Sequence, residues 1–380
     1  MDITILPNKL NGPLEVIPSK SQAHRLLICA AFAEHPTTIC CRATNRDIDA
    51  TVDCLQALGA KIHRETFGFC VEPIRKIPKT AMLPCRDSGS TLRFLLPVVG
   101  ALGVDTIFQM EGRLPRRPLS PLREELERMG CSLSRPTEDT LRCCGKLRPG
   151  HYRIAGNISS QYISGLLFAH MLMGDCTLEI TGRIESAPYI ELTRHAIAKF
   201  PLKDSPVITV EGDWSNAAFW LGANELGSTL HVAGLRTDSA QGDRVCAELL
   251  PRLTEHLTID ASDIPDLVPI LSVVAACRKG AVFTNIGRLR LKESDRVASV
   301  IAMLEALGGR AEATEDTLTV FGTGLDGGTV DACNDHRIAM SAAIAATVCT
   351  MPVTILGAEC VEKSYPKFWA EYARLGGHYE

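Results

Sequence analysis

The chain of 380 residues is long enough for two domains, each with its own hydrophobic core. Hydrophobic residues make up 46% of it and charged residues 22%, a balance typical of a folded globular protein. The formal net charge of −4 gives no global attraction to nucleic acid or an anionic membrane, so we expect neither as a partner. The sequence contains no apolar run of about 18 residues, and Met1–Ile5 reads as a strand rather than a leader; both favour the cytoplasm.

One structural unit recurs along the chain. Its signature is an amphipathic helix, a short link containing Gly and a hairpin, and it is predicted at 50–72, 119–145 and 298–322. Gly after a helix suits a left-handed C-cap, and alternating residues on both sides of a turn predict antiparallel strands. Weaker copies of the helix are predicted at 189–200, 244–257 and 365–376.

Each unit also has a second helix that is apolar on nearly every side and should lie inside its domain. These helices are predicted at 23–33, 92–102, 162–172, 214–226, 264–276 and 338–348. Units of roughly 60 residues predict two domains of three units each. The third unit is predicted to be short, because little room for a hairpin remains between Phe200 and Val207.

Several helices are predicted to begin with a Ser, Gly or Asx residue beside Lys or Arg. These starts lie at 19–25, 87–93, 292–296 and 334–337, and a fifth, at 157–161, lacks the cation. The unpaired N–H groups and the dipole of a helix start favour a bound anion. Residues 112–118 add three arginines around two prolines, which make a stiff cationic loop. The sequence therefore predicts a protein that binds small, highly charged anions.

Each of these segments also has a purely structural interpretation. Ser19 or Ser21 can cap a helix, and so can the serines at 159 and 160. Asp266 is predicted in the first turn of an apolar helix, where a carboxylate pairs with the dipole.

The polar start at 292–296 has its own predicted arrangement. Lys292 and Arg296 are expected to share one helix face at i and i+4, with Asp295 in a structural role. Glu293 lies between the two cations, and an acid role for it requires partial burial or a nearby substrate anion.

Fifteen cysteines raise the question of a metal or disulfide framework. Cys40-Cys41 and Cys143-Cys144 are adjacent pairs, and neither Cys-x-x-Cys nor His-Glu-x-x-His spacing occurs in the sequence. Most of the cysteines lie in apolar segments, where thiols act as small buried hydrophobic groups in a reducing compartment. We therefore expect no metal and no cofactor.

In order and spacing, the dispersed motifs resemble those of the enolpyruvyl transferases. The match covers essentially the whole chain through Ser19-Lys20-Ser21 with Arg25, Ser88-Gly89-Ser90 with Arg93, Arg117-Pro118, Ser159-Ser160-Gln161, Pro265-Asp266, Lys292-Glu293 with Asp295-Arg296, Asp335-His336-Arg337, and Lys363 with Pro366. The resemblance implies a two-domain inside-out α/β barrel, each domain having three βαβαββ units with buried parallel helices and outer mixed sheets. The domains are predicted as 1–18 with 212–380 and as 19–211, the last unit of the second being shortened.

The resemblance also implies a reaction. The enolpyruvyl group of phosphoenolpyruvate passes to the 5-hydroxyl of shikimate 3-phosphate through a tetrahedral intermediate, and phosphate is released. Two phosphates and two carboxylates bring a charge of about −5 to −6, taking roughly −1.5 to −2 per phosphate. Such a charge requires a comparable number of cations, which the matched positions supply.

Roles carry over by matching position. The implied ligands of phosphoenolpyruvate are Lys20, Gly89, Arg117, Gln161, Arg296, Arg337 and Lys363. The implied ligands of shikimate 3-phosphate are Lys20, Ser21, Arg25, Ser159, Ser160, Gln161, Ser186, Tyr189, Asp266 and Lys292. The family's acid/base pair falls on Asp266 as the base and Glu293 as the acid to the methylene carbon, with Lys20 as an alternative proton carrier.

Three positions depart from the family pattern. Asp87 stands where many members have Asn, Arg288 where some have Asn, and Phe94 where Pro is frequent. These departures bear on sensitivity to glyphosate, which competes at the phosphoenolpyruvate site, more than on the reaction.

Two alternatives are weighed against this function. Members that act on UDP-N-acetylglucosamine carry Asn after the first Lys and usually a Cys in the arginine loop, but here Ser21 follows Lys20 and residues 112–123 contain no Cys. An inactive anion-binding protein is disfavoured by the intact Asp266, Glu293 and Lys20. We expect a monomer whose domains close on substrate, since the matched ligands come from both halves.

Overall fold

The computed structural model describes residues 1–200 and 207–380. The chain divides into two compact units, which we call unit 1 (Met1–Ile17 with Glu211–Glu380) and unit 2 (Pro18–Val210). The predicted lack of room for a hairpin between Phe200 and Val207 concerns a segment outside the described residues.

Helices and strands alternate along both units. The strands are β1 (Ile3–Leu6), β2 (Asn11–Glu15), β3 (Thr37–Cys40), β4 (Lys61–Glu65), β5 (Gly68–Glu72), β6 (Thr80–Arg86), β7 (Asp105–Met110), β8 (Cys131–Ser134), β9 (Thr140–Gly145), β10 (His151–Ala155), β11 (Thr177–Thr181), β12 (Val207–Thr209), β13 (Thr229–Ala233), β14 (Leu257–Asp260), β15 (Ala281–Thr284), β16 (Arg310–Ala313), β17 (Thr317–Phe321), β18 (Gly328–Asp331), β19 (Val353–Leu356) and β20 (His378–Tyr379). The α-helices are α1 (Lys20–Ala31), α2 (Arg46–Ala57), α3 (Gly89–Leu102), α4 (Leu122–Arg128), α5 (Ser160–Met173), α6 (Ala187–Ala198), α7 (Trp214–Glu225), α8 (Cys246–Arg252), α9 (Val268–Ala276), α10 (Arg296–Ala306), α11 (His336–Ala345) and α12 (Phe368–Arg374).

Four sheets of the described residues share one topology. Their strand orders are β12-β3-β5-β4 and β6-β7-β9-β8 in unit 2, and β14-β15-β17-β16 and β18-β19-β1-β20 in unit 1. In each, the first two strands are parallel, the third strand pairs antiparallel with the second, and the fourth pairs antiparallel with the third. The last two strands form a hairpin in three of these sheets; in the fourth they are β1 and β20, which lie near opposite ends of the sequence. This mixed pattern is the βαβαββ repeat predicted from the sequence.

The predicted apolar helices form the interior of each unit. In unit 1, α7, α9 and α11 pack against one another. In unit 2, α3 packs closely on α5, where a Cβ atom at Gly165 would lie 2.3 Å from the carbonyl oxygen of Arg93. Only Gly permits that approach. Buried helices with outer mixed sheets are the predicted architecture, and the fold class is confirmed.

Two sheets are shorter within the described residues. The parallel pairs β10-β11 and β13-β2 have no hairpin beside them. In unit 1, α8 ends at Arg252 and β14 already begins at Leu257, so the predicted helix 244–257 is too long. Within the described chain, the repeat of unit 1 that contains α7 and α8 therefore lacks a hairpin. The sequence predicts a shortened unit in the second domain and does not predict this one.

The start of α9 also differs from the prediction. The helix begins at Val268 rather than at residue 264, and Asp266 lies in the turn that precedes it. Pro269 occupies the first turn, where a missing N–H costs no helical hydrogen bond. Asp266 therefore sits ahead of the helix instead of in its first turn.

Candidate active site

In unit 1, a carboxylate lies among three cations. Asp266 Oδ1 accepts a hydrogen bond from Arg296 Nη1 at 2.8 Å, and Oδ2 accepts one from Arg337 Nη2 at 2.8 Å. Lys292 Nζ lies 3.6 Å from Oδ1. The turn before α9, the segment before α10 and the first turn of α11 thus meet at one carboxyl group. We call this group, with Glu293 and Asp335, the charged cluster.

Arg296 holds the charged cluster together from a fully buried position. Its Nη2 donates to Glu293 Oε2 at 2.7 Å, and its Nε donates to Asp335 Oδ2 at 3.0 Å. Asp335 is the N-cap of α11, and its Oδ1 accepts from the backbone N–H of Arg337. The sequence motif singled out Asp335 without a role. Its carboxylate orients two of the predicted ligands, Arg296 and Arg337.

The charges shift one another's proton affinities. Burial alone would raise the pKa of the Asp266 carboxyl, but Arg337, Lys292 and Arg296 outweigh it and hold the pKa well below its ordinary value. Burial likewise opposes the charge of Arg296, yet Asp335, Glu293 and Asp266 raise its pKa. Asp266 is therefore ionised, and Arg296 is permanently charged, at neutral pH.

Lys292 reaches the charged cluster by a different route from the one predicted. A short 3-10 helix, Gly287–Leu291, ends just before it, and Lys292 itself has extended backbone angles. Helix α10 begins only at Arg296, so the two cations do not share a helix face, and the i, i+4 prediction is wrong. Burial, with the nearby charges of Arg296 and Arg288, outweighs Asp266 and lowers the pKa of Lys292 to about 8.

In unit 2, Lys20 is the first residue of α1. Its Nζ lies 3.0 Å from Asp47 Oδ2, and the Asp47 side chain is almost completely buried. Sequence reasoning missed Asp47, although an available signal was the Asn45 N-cap followed by two acidic residues in the first turn of α2. Asp295, predicted to be structural, is the N-cap of α10 and accepts from the N–H of Ala298.

The start of α3 lies against two guanidinium groups. A Cβ atom at Gly89 would lie 2.8 Å from Nη1 of both Arg93 and Arg117, so a larger residue there would displace the two guanidinium groups. Gln161 Oε1 accepts from Arg93 Nη1 at 2.8 Å, and Gln161 Nε2 donates to Ser90 Oγ at 2.9 Å. The structure thus brings together three predicted ligands, Gly89, Arg117 and Gln161. Arg93 and Ser90 complete the group, although neither is among the residues predicted to bind a substrate.

The start of α5 differs from the serine starts of α1 and α3. Ser19 accepts from the N–H of Gln22, and Ser88 accepts from that of Thr91. Ser159 occupies the N-cap position of α5, yet within the described chain its hydroxyl makes no capping bond. Ser160, next in the chain, is buried. The Ser159 hydroxyl therefore serves no helix cap.

The predicted ligand Arg25 is bonded to protein groups beneath these helix starts. Its Nε donates to Thr193 Oγ1 at 2.7 Å, and its Nη groups donate to the carbonyls of Ser21 at 2.6 Å and Tyr189 at 2.9 Å. The guanidinium also lies 4.9 Å from the ring centroid of Phe94, one of the departures from the family pattern. Burial lowers the pKa of Arg25 to about 10. Arg25 thus joins α1 to α6, whatever ligand it also contacts.

The remaining predicted residues lie at element ends. Ser186 is the buried N-cap of α6 in a left-handed conformation, with φ of 56°. Lys363 ends a 3-10 helix, Ala358–Lys363, in unit 1 and is also buried.

Among residues 1–200 and 207–380, no group of three or more His, Cys, Asp or Glu side chains is placed to hold a metal. No helix within those same ranges is long and apolar enough to cross a membrane.

Comparisons with known proteins agree on one family. The model of the EPSP synthase (3-phosphoshikimate 1-carboxyvinyltransferase) family matches residues 6–260 and 251–372. A 3-phosphoshikimate 1-carboxyvinyltransferase of Clostridium kluyveri is 37% identical over 416 aligned positions, covering 99% of this chain and 97% of the relative. That of Clostridium perfringens strain 13 is 38% identical, with coverages of 99% and 98%. An alignment longer than the chain requires gaps in it, in keeping with the two short sheets.

Solved structures agree on the fold. EPSP synthase from Acinetobacter baumannii has a TM-score of 0.80 at 22% identity, covering 100% of this chain and 99% of that one. The enolpyruvyl transferase NikO from Streptomyces tendae has a TM-score of 0.76 at 17% identity, with coverages of 100% and 98%.

Proposed function

The chain belongs to the EPSP synthase (3-phosphoshikimate 1-carboxyvinyltransferase) family, and from this premise we propose how its residues divide the work of the reaction. The protein transfers the enolpyruvyl group of phosphoenolpyruvate to the 5-hydroxyl of shikimate 3-phosphate and releases phosphate. It is an enzyme of the shikimate pathway, which supplies aromatic amino acids. The residue roles below are our proposal.

Shikimate 3-phosphate binds mainly through the helix starts of unit 2. Ser159 and Ser160 donate hydroxyl protons to the phosphate, and the Ser159 hydroxyl suits this role because it caps no helix within the described residues. Ser21, Gln161, Ser186 and Tyr189 complete the contacts. Arg25 contributes charge and holds Ser21 and Tyr189 in place through their carbonyls.

Phosphoenolpyruvate binds through the start of α3 and the cations. The Gly89 backbone, Arg117 and Gln161 form one group of ligands, supported by the short approach of Arg117 to Gly89. Lys20, Arg296, Arg337 and Lys363 supply the remaining charge. These ligands belong to both units, which we propose to be the two predicted domains.

Asp266 acts as the general base. It is ionised, and it also binds the hydroxyl groups of shikimate 3-phosphate. Arg296 and Arg337 hold both of its oxygens, which makes it a weak base in the free enzyme. The phosphate and carboxylate of phosphoenolpyruvate compete for those two guanidinium groups, so the proton affinity of Asp266 rises when substrate binds.

Glu293 acts as the general acid for the same reason. It pairs with Arg296 in the free enzyme, and the substrate anion reduces that stabilisation and favours its protonated form. In the addition step the 5-hydroxyl oxygen bonds to the enol carbon, Asp266 takes the hydroxyl proton, and Glu293 gives a proton to the methylene carbon. In the elimination step a methyl proton returns to Glu293, the bond between carbon and phosphate oxygen breaks, and Asp266 passes the hydroxyl proton to the departing phosphate oxygen. Lys20, beside Asp47, is an alternative proton carrier.

The main support for this proposal is that both proposed catalytic carboxylates, Asp266 and Glu293, are hydrogen-bonded to the same buried guanidinium group, that of Arg296. A ligand that engages Arg296 therefore affects the proposed acid and the proposed base together.

The test is phosphate release from phosphoenolpyruvate, with shikimate 3-phosphate or UDP-N-acetylglucosamine as acceptor. We expect release only with shikimate 3-phosphate, and loss of that release in an Arg296→Met variant that remains folded by circular dichroism. Release only with UDP-N-acetylglucosamine would contradict the acceptor, and full activity in the Arg296 variant would contradict the roles proposed here.

We propose that the enzyme is a cytoplasmic monomer that needs no metal or cofactor. All fifteen cysteines are free thiols, as expected in a reducing compartment. Light scattering during gel filtration tests the oligomeric state, and a mass near 41.2 kDa is expected.

A further inference from the structure

A chain of hydrogen-bonded side chains crosses the interior of unit 2. His24 Nδ1 lies 2.7 Å from Thr51 Oγ1, and Thr51 Oγ1 lies 2.7 Å from Thr91 Oγ1. Thr91 Oγ1 in turn donates to Ser88 Oγ at 2.7 Å. All four side chains are fully buried. We call this series the hydroxyl chain; none of its members belongs to the predicted ligand set.

Proton counting gives the hydroxyl chain a single direction. A threonine hydroxyl has one proton, and Thr91 donates its proton to Ser88. The carbonyl oxygen of Asp47, more distant at 3.4 Å, is a second acceptor for the same proton and would leave the rest of the hydroxyl chain unchanged. Thr91 must therefore accept from Thr51, and Thr51 must accept from the Nδ1–H of His24. The geometry points to an imidazole with its proton on Nδ1.

The hydroxyl chain connects three helix starts. His24 lies one turn after Lys20 on α1, Thr51 lies one turn after Asp47 on α2, and Ser88 is the N-cap immediately before Gly89 on α3. Lys20 pairs with Asp47, and Gly89 lies against Arg117. The chain thus sets the register between the Lys20 and Gly89 parts of the proposed phosphoenolpyruvate site.

We propose that His24 and Thr51 are positioning residues for phosphoenolpyruvate. The inference rests on the proposed function of Lys20 and Gly89, and the hydroxyl chain acts through them because its members are buried. A buried polar chain is sensitive to the loss of one member, since the neighbours then lack a partner in a medium of low dielectric. The start of α3 would then lose its fixed position, and affinity for phosphoenolpyruvate would fall.

Thr51→Val is the main test, because valine has the shape of threonine and lacks the hydroxyl. The matched control is Thr106→Val: Thr106 is a fully buried threonine of the same unit whose hydroxyl donates to the carbonyl of Val104 at 3.0 Å. The loss of one buried hydrogen bond predicts a KM for phosphoenolpyruvate raised about ten-fold in Thr51→Val, with kcat within about two-fold of the original. Thr51→Ser restores the original KM, and Thr106→Val leaves it unchanged. Equal KM values in the two valine variants would overturn the proposal.

A second measurement does not depend on activity. Nitrogen-15 NMR of the original enzyme reports which ring nitrogen of His24 is protonated, with the signal assigned by its absence in His24→Asn. We expect the proton on Nδ1; a proton on Nε2 would overturn the hydroxyl chain. If Lys20→Met and Arg117→Met left the KM for phosphoenolpyruvate unchanged, the site assignment would be wrong instead, whatever the tautomer of His24.

Discussion

We propose that both the charged cluster of unit 1 and the helix starts of unit 2 bind substrate anions. The two regions present different groups to those anions. In the charged cluster, three carboxylates (Asp266, Glu293 and Asp335) meet the cations Lys292, Arg296 and Arg337 within the described residues. At the helix starts, neutral donors stand beside the cations. There the Ser159 hydroxyl caps no helix of the described chain, and the Gly89 backbone faces Arg117.

The two regions should therefore respond differently when substrate binds. The cations of the charged cluster already have carboxylate partners, so an incoming phosphate must compete with Asp266 and Glu293. That competition changes the proton affinity of both carboxyl groups, which is what acid–base catalysis requires. Helix starts bind phosphate with little rearrangement. Changes at the carboxylates Asp266 and Glu293 of the charged cluster should therefore lower turnover, and changes at the helix starts should lower affinity.

The largest effect is expected for Asp266→Asn. The amide keeps the shape of the side chain but cannot take the hydroxyl proton, so kcat should fall by about 10³ while KM changes little. Phosphate release in the steady state measures both quantities. Asp295→Asn is the matched control, because Asn remains a good N-cap for α10 and kcat should stay within about two-fold. A comparable loss in both variants would remove the distinction between base and cap.

Glu293→Gln should have the next largest effect. The amide keeps a hydrogen bond from Arg296 but cannot protonate the methylene carbon, so kcat should fall by about 10². Single-turnover quench experiments check the chemical step directly. Glu305→Gln, on the exposed side of α10, should match the original enzyme. A Glu293→Gln enzyme with normal single-turnover rates would show that another group is the acid.

Lys292 should give the charged cluster a pH dependence. Its pKa is lowered to about 8, so the ammonium loses its proton and its attraction for shikimate 3-phosphate as pH rises through that value. If one proton on Lys292 is required, kcat/KM should fall about ten-fold per pH unit above the pKa, and this limb should be absent in Lys292→Met. The profile between pH 6 and 10, for each variant, is the measurement. A limb of the same midpoint in Lys292→Met would assign it to another group.

The smallest effect is expected at the helix starts. Ser159→Ala should raise the KM for shikimate 3-phosphate about five-fold through loss of a hydrogen bond to phosphate, with kcat and the free energy of unfolding unchanged. Ser19→Ala should lower the free energy of unfolding by about 1 kcal/mol, because Ser19 does cap its helix, and should leave the KM for shikimate 3-phosphate unchanged. Urea denaturation and steady-state kinetics separate the two. Loss of stability in Ser159→Ala would contradict the distinction between cap and ligand.

Much of the fold follows from patterns within single elements. All the predicted helices exist, and the hairpins at 61–72, 131–145 and 310–321 lie where Gly and Asp residues interrupt alternating strands. Ends of elements were less accurate, because the start of α9 depends on Leu267 and Pro269 packing in the turn rather than on helical periodicity. The absence of a hairpin after α8 in the described chain was not predicted, because the predicted helix 244–257 includes the residues between Arg252 and Leu257.

The candidate site was predictable as a set of residues but not as a set of contacts. The matched motifs named Asp266, Glu293, Arg296 and Arg337 as site residues. The hydrogen bonds among them join three separate segments of the chain, so the motifs could not predict them. Asp47 was missed because the local pattern at the start of α2 does not indicate its partner, Lys20, which lies 27 residues away in the sequence. The hydroxyl chain is likewise invisible in sequence, since buried threonines resemble ordinary core residues.

We propose that the carboxylates of the charged cluster move protons and that the helix starts bind substrate. Deuterium exchange tests this division most directly. In deuterium oxide, protonation of the methylene carbon by Glu293 places deuterium on C3 of phosphoenolpyruvate whenever the addition step reverses. At saturating substrates, mass spectrometry should find this deuterium with the original enzyme and with Ser159→Ala at similar rates, and at a rate reduced by about 10² with Glu293→Gln. Deuterium incorporation at the original rate in Glu293→Gln would contradict the account.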